Sequence, residues 1–126
     1  MDERPSLWVG HVVLASHDLA RSVDFYRPFG LRQLRDVRPD DFLIELEMRG
    51  GTHLVFVLDA EARTDGRTAP FDLMVDDLGQ THAAMSALGV DVSPLVHSEH
   101  DHDHFTFRDP DGYVVTVNDS HVEGAV

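Results

Sequence analysis

The chain carries an internal repeat with a period of 59 residues, and this repeat strongly limits the folds that it can adopt. Asp18-Leu19 is followed twelve residues later by Gly30-Leu31, and the same spacing recurs between Asp77-Leu78 and Gly89-Val90. An aspartate can cap the first turn of a helix, and a glycine can take the left-handed conformation that ends one. Each repeat is therefore predicted to hold one helix between strands, and duplication of a half-chain is the simplest explanation.

Apolar residues recur at helical spacing within both predicted helices. The first helix carries this stripe at Leu19, Val23, Tyr26 and Phe29, and the second carries its equivalent at Leu78, His82, Met85 and Leu88. Both helices are predicted to bury one face against a sheet.

Strand patterns surround each helix in the same order. They cover residues 8–15, 31–37, 41–48 and 52–58 in the first half, and 71–75, 90–96, 102–108 and 113–118 in the second. The sequence predicts one domain over residues 1–126. It comprises module one at about 7–58, an exposed linker at about 59–69, module two at about 70–118 and a tail at 119–126.

Composition narrows the function classes. The 126 residues contain no cysteine, which excludes disulfides, thiolate metal sites and cysteine nucleophiles. The formal net charge of −13 argues against nucleic acid as a partner, because phosphate backbones are bound by clustered cations.

No apolar segment approaches the roughly 20 residues that span a bilayer, and the first residues lack a signal-peptide pattern. We expect a soluble, cytoplasmic protein without a membrane partner.

Two segments carry a family resemblance. Residues 10–26 read GHVVLASHDLARSVDFY and residues 107–113 read FRDPDGY. They resemble the opening strand and helix and the closing hairpin of the vicinal oxygen chelate superfamily, which includes glyoxalases, bleomycin-resistance proteins and extradiol dioxygenases. The resemblance implies an α+β fold in which two tandem βαβββ modules form a curled mixed sheet around a ligand cavity, with helices on the outer face. It also implies a homodimer.

The resemblance further implies where a divalent metal would be held, namely by the first and last strands of each module. His11 occupies the first of these positions and is a suitable ligand. The other three positions hold Pro70, Val55 and Thr116, of which only Thr116 offers a weak hydroxyl donor. A catalytic first-row metal normally needs about three protein ligands. We therefore expect these four positions to hold no metal, and we expect the protein to need no cofactor.

The second half carries a histidine-rich stretch from His97 to His104. At a strand period of two, one face holds His100, His102, His104 and Thr106, and the other holds Phe105 and Phe107. By resemblance to fosfomycin-resistance proteins, His104 and Thr106 are expected to line the cavity. The stretch can instead be a solvated polar loop, or His102 or His104 can join His11 in a replacement metal site.

The remaining polar candidates have a simpler structural explanation. Glu45 and Glu47 can flank a cavity as a carboxylate pair, although a solvated strand face explains them more economically. His53, His82 and His121 are predicted to be structural or exposed.

Two hypotheses of function remain, and neither assigns a catalytic residue. The favoured hypothesis is a metal-free protein that binds a small cationic or aromatic molecule, similar to bleomycin- or mitomycin-resistance proteins. Its predicted ligand-binding residues are His11, His102, His104, Thr106 and Thr116. The alternative is a metal-dependent lyase, isomerase or dioxygenase that holds zinc, iron, manganese or nickel through His11, His102 and His104.

Overall fold

The computed structural model of the protein describes residues 4–100 and 102–120. Over these residues it contains seven strands and two α-helices, namely β1 (His11–Ser16), α1 (Leu19–Tyr26), β2 (Arg32–Gln33), β3 (Leu43–Glu47), β4 (His53–Leu58), β5 (Thr68–Val75), α2 (Leu78–Ala87), β6 (His104–Arg108) and β7 (Val114–Asp119). Short 3₁₀ helices lie at Arg27–Phe29 and Arg49–Gly51. Neither α-helix in this part of the chain is long and apolar enough to cross a membrane.

Each repeat forms its own mixed sheet. The first sheet has the strand order β1-β4-β3-β2, and the second has the order β5-β7-β6. In both sheets the strand before the helix pairs in parallel with the last strand of the module, β1 with β4 and β5 with β7. The predicted α+β fold of two repeated modules is thereby confirmed, as two mixed sheets that do not close.

The predicted helix caps are formed. The Asp18 carboxylate accepts a hydrogen bond from the Arg21 amide at 3.1 Å, and the Asp77 carboxylate accepts one from the Gln80 amide at 2.9 Å. These contacts satisfy amide groups that the first turn of a helix leaves without a partner.

The predicted apolar stripe is confirmed in α1 and only partly in α2. In α1, Leu19, Val23 and Tyr26 are buried. The prediction for Leu88 was wrong, because α2 ends at Ala87 and the Leu88 side chain is 61% exposed.

The strand predicted at residues 90–96 was wrong. The segment forms only two isolated bridges, Val92 with Phe107 and Val96 with His104. Pro94 has no amide proton to donate to a ladder. The Ser93 hydroxyl occupies another ladder position, since it accepts a hydrogen bond from the Thr106 amide at 2.8 Å.

The connection between the two modules, predicted as an exposed linker, is fastened at two points. Much of residues 59–69 is exposed, but Thr64 and Ala69 are buried and β5 already begins at Thr68. The Thr64 hydroxyl donates to the carbonyl oxygen of Asp111, so this connection is fastened to the closing turn of the second module.

The closing turn of the second module is hydrogen-bonded to the beginning of α1. The buried carboxylate of Asp111 accepts from the His17 amide at 3.0 Å, from Arg21 Nη2 at 2.9 Å and from the Ser22 hydroxyl at 3.3 Å. We call this set of four residues the inter-module network. It joins the closing turn of the second module to the beginning of α1 through one buried carboxylate.

A neighbouring contact reinforces this junction. The Tyr26 hydroxyl donates to Asp109 at 2.9 Å, and both groups are largely buried. Burial raises the pKa of the Asp109 carboxyl above its usual value. The pKa of Tyr26 is raised well above the ordinary tyrosine value, mainly by burial and also by the nearby charge of Asp109. The phenol therefore stays protonated and continues to donate.

Candidate functional site

The first sheet has one face packed in the core and one face that is more exposed. Core residues alternate along its strands, as Leu14 on β1 and Ile44 on β3 illustrate. The residues between them form what we call the open face: His11, Val13, Ala15, Leu43, Glu45, Glu47, His53, Val55 and Val57. This face combines apolar side chains, imidazoles and carboxylates.

Three side chains of the open face converge at one end. His11, Glu45 and His53 each offer a metal-ligating atom, and these atoms all lie within 4.8 Å of one another. His53 Nδ1 is 2.8 Å from Glu45 Oε2. The rings of His11 and His53 meet edge to face, with their centroids 5.5 Å apart. We call these three residues the triad.

Strand pairing explains why the triad forms. His11 and His53 begin the parallel strands β1 and β4 and are direct partners in the ladder. The turn between β3 and β4 contains Gly50 at φ 77° and Gly51 at φ 84°, a conformation that favours glycine. This turn pairs Glu47 with His53 and leaves Glu45 diagonally opposite, on the same face.

A cavity of about 350 Å³ adjoins the triad, because Glu45 belongs to both. Its other lining residues are Leu34, Arg35 and Leu43. The guanidinium of Arg35 donates to Asp41 at 2.7 Å and to the Leu43 carbonyl at 3.2 Å. Hydrogen bonding by Arg35 lowers the pKa of the Asp41 carboxyl. The cavity thus combines the apolar side chains of Leu34 and Leu43 with the Arg35 guanidinium and the Glu45 carboxylate.

The second sheet presents the other predicted ligand-binding residues. His104 and Thr106 on β6 are half-buried, and Thr106 is the ladder partner of Thr116 on β7. The expected alternation is confirmed, since Phe105 and Phe107 point into the core. Whether His104, Thr106 and Thr116 bind a ligand stays a prediction.

The histidine-rich stretch contacts its own backbone and the end of β7. His102 Nδ1 is 2.7 Å from the Asp119 carbonyl oxygen, and His104 Nδ1 is 3.2 Å from the His102 carbonyl oxygen. The exposed His97 pairs with Asp103 at 2.8 Å. Among residues 4–100 and 102–120, the metal-ligating group contains His11 but neither His102 nor His104. A site joining these three histidines stays a prediction.

Of the four metal positions that the family resemblance implies, only His11 carries a strong ligand. Val55 lies on β4 between Val13 and Glu45, and Pro70 lies on β5. Neither side chain can ligate an ion, and Thr116 offers only a neutral hydroxyl. That the usual metal place is lost in this chain stays a prediction.

Two residues of the triad differ from the simplest expectation. The sequence favours a solvated strand face for Glu45 over a cavity-flanking position, and a structural or exposed role for His53. Both are half-buried and hydrogen-bonded to each other. The signal was present in the sequence, because a hairpin centred on Gly50 brings positions 45 and 53 to the same face. His121 lies outside the described residues.

Comparisons with known proteins place this geometry in a family. Residues 8–117 match the family model described as Glyoxalase/Bleomycin resistance protein/Dioxygenase superfamily. A search of curated proteins found no significant match.

Solved structures share the fold at low sequence identity. A bleomycin resistance determinant encoded on the transposon Tn5 has a TM-score of 0.74 at 17% identity, over 92% of this chain and 100% of that one. A bleomycin-binding protein complexed with bleomycin has a TM-score of 0.73 at 17% identity, with the same coverage. A lactoylglutathione lyase from Agrobacterium tumefaciens has a TM-score of 0.74 at 22% identity, over 98% and 100%. The chain thus belongs to the glyoxalase/bleomycin resistance protein/dioxygenase superfamily.

Proposed function

We propose that the protein binds a small cationic or aromatic molecule on the open face. The observation that carries this proposal is the composition of that face. The apolar side chains of Val13 and Val57 remain partly exposed, and the carboxylates of Glu45 and Glu47 stand beside them. Ligand sites typically combine apolar walls with a few polar groups that set orientation.

Charge supports a cationic ligand. The formal net charge is −13, and an acidic surface concentrates small cations near the protein. The structural neighbour complexed with bleomycin supports the same class of function, although it shares only 17% identity with this chain. Pro70 and Val55 offer no ligand atom and Thr116 offers only a neutral hydroxyl, which favours binding without the usual metal.

Ligand binding is expected to weaken as salt rises. Calorimetric titration of cationic aromatic compounds, including bleomycin-like and mitomycin-like molecules, should show affinity that falls between about 0.05 and 0.5 M salt, because screening shortens the reach of charge. Glu47→Gln should weaken binding by about two- to fivefold, the range of a partly exposed ion pair. Glu61→Gln removes the same charge from an exposed loop and should leave binding unchanged. No binding across the panel, or binding indifferent to salt, would contradict the proposal.

We also propose that two copies associate as a homodimer. Large apolar side chains at the beginning of the described chain are exposed, notably Leu7, Trp8 and Val9 ahead of β1, and Val13 within it. Contiguous exposed apolar surface commonly marks an interface. A second copy that covers this region would also enclose the open face, which the monomer leaves accessible to solvent.

Light scattering checks the assembly. At micromolar concentration we expect a mass of about twice the 14.1 kDa of the chain, as closed two-fold dimers are the commonest oligomer. Trp8→Asp should shift the population toward monomer, whereas Leu88→Asp, an equally exposed position at the end of α2, should leave the dimer intact. A wild-type protein that remains at 14.1 kDa would overturn the proposal.

The triad favours a second candidate function, a metal-dependent lyase, isomerase or dioxygenase that uses His11. A superfamily neighbour is a lactoylglutathione lyase, at 22% identity. Treatment with a chelator separates the two candidates. A binding protein should retain its affinity for cationic compounds after EDTA, whereas metal-dependent turnover should disappear and return when the ion is restored.

A further inference from the structure

We propose that the triad of His11, Glu45 and His53 is a binding site for a divalent first-row metal, with zinc as the representative ion. The site lies within the first sheet alone. Of the four positions that the family resemblance implies, it uses only His11, and it recruits Glu45 from β3 and His53 from β4. The inference does not depend on the proposed binding of a cationic molecule.

The donor set suits such an ion. Two neutral imidazoles and one carboxylate are the ligands of several catalytic zinc sites, and the same combination binds iron in oxygenases. Zinc bonds to nitrogen and oxygen are about 2.0–2.2 Å long, so ligands of a tetrahedral ion lie about 3.3–3.6 Å apart. The donors of the triad lie within 4.8 Å of one another. An ion would therefore have to draw the donor atoms closer together by about 1 Å.

The backbone already holds the three residues in place. They come from three adjacent strands, and His11 and His53 are direct ladder partners. Sites built on strands keep their geometry better than sites built on loops. Glu45 is also oriented before any ion arrives, because its Oε2 lies 2.8 Å from His53 Nδ1.

The surrounding charges leave Glu45 available. Arg32 Nη1 is 3.0 Å from Glu47 Oε1, and Arg35 Nη1 is 2.7 Å from Asp41 Oδ2. Both guanidinium groups therefore have other carboxylates as their closest partners. Glu47 Oε2 lies 3.8 Å from His53 Nε2, and the pairing of Glu47 with Arg32 offsets part of its charge.

The exposure of the site indicates an open coordination sphere. His11 is exposed and Glu45 lines the adjoining cavity. Structural zinc sites are closed by four protein ligands, whereas sites with three ligands leave a position for water or another molecule. An ion held by the triad would thus remain accessible from the cavity.

Metal titration tests the inference on full-length protein that was purified without a histidine tag and stripped with EDTA. Calorimetry with zinc should give one ion per chain, and cobalt should give the visible absorption of an ordered site. His11→Ala, Glu45→Gln and His53→Ala should each weaken zinc binding by at least about 100-fold, because removal of a direct ligand costs more than loss of an outer-shell partner. Glu45→Gln is nearly isosteric and keeps the test valid if a histidine variant fails to fold.

A matched control separates the triad from adventitious binding by the histidine-rich stretch. His97→Ala removes an exposed imidazole that pairs with Asp103, and it should leave zinc affinity unchanged. The inference is overturned if zinc does not bind, if the three triad variants bind like the wild type, or if His102→Ala or His104→Ala abolishes binding while the triad variants do not. Binding of cationic compounds is measured separately in EDTA, so failure of one proposal is distinguishable from failure of the other.

Discussion

Phe107→Ala is expected to lower the free energy of unfolding by about 3–5 kcal/mol, the usual cost of removing a fully buried phenylalanine. The Phe107 side chain is 1% exposed and lies on β6 of the second sheet. Its ring centroid lies 5.9 Å from that of Phe25 and 6.1 Å from that of Tyr26, both on α1 of the first module. The substitution therefore leaves a cavity where the two modules pack together. Urea denaturation followed by circular dichroism measures the effect.

Phe42→Ala is the matched control for this prediction. It makes the same chemical change immediately before β3, at a side chain that is 71% exposed. We expect its free energy of unfolding to change by less than about 0.5 kcal/mol, as is usual for surface positions. Equal losses from both substitutions would show that Phe107 does not occupy the shared core.

The parts of the fold that the sequence predicted well depend on local chemistry. Asp18 and Asp77 cap helices because their side chains reach amide groups three residues away. The alternation of Phe105 and Phe107 with polar residues follows from the two-residue period of a strand. These patterns depend only on residues that are close in sequence, so they can be recognised without knowledge of the tertiary structure.

The parts that were missed depend on partners elsewhere in the chain. Residues 90–96 have a strand-like composition, yet Pro94 and the hydroxyl of Ser93 interrupt the ladder opposite β6. The end of α2 at Ala87 likewise exposes Leu88, which periodicity alone placed on the buried face. In both cases the sequence has the expected local pattern, but contacts with the rest of the protein determine the structure.

The candidate site was predictable only in part for the same reason. His11 was identified from the family resemblance, but its partners depend on strand register. Glu45 and His53 meet because the turn at Gly50 and Gly51 fixes the pairing of β3 with β4. A shift of one residue in this pairing would put Glu45 and His53 on opposite faces of the sheet. The cytoplasmic location and the roles of the second-sheet residues stay predictions.

The inter-module network supports a further prediction about stability. Asp111→Ala is expected to lower the free energy of unfolding by about 2–4 kcal/mol. The Asp111 carboxylate is buried and accepts hydrogen bonds from the His17 amide, the Arg21 guanidinium and the Ser22 hydroxyl. Without it, these donors lose their acceptor, although Arg21 is half exposed and regains part of the loss from water. We therefore place the effect below the full cost of breaking a buried ion pair.

Asp76→Ala is the control, because it removes an aspartate from an exposed ion pair instead of a buried one. Asp76 forms a bidentate pair with Arg49, and hydrogen bonding to Arg49 lowers the pKa of its carboxyl. Both partners are largely exposed, so solvent replaces the contact when it is removed and stability should not change measurably. Urea denaturation of the two variants, side by side, should show a shifted midpoint for Asp111→Ala alone. If the midpoint of Asp111→Ala matched that of the wild type, the closing turn would contribute nothing to holding the modules together, and the network would be incidental.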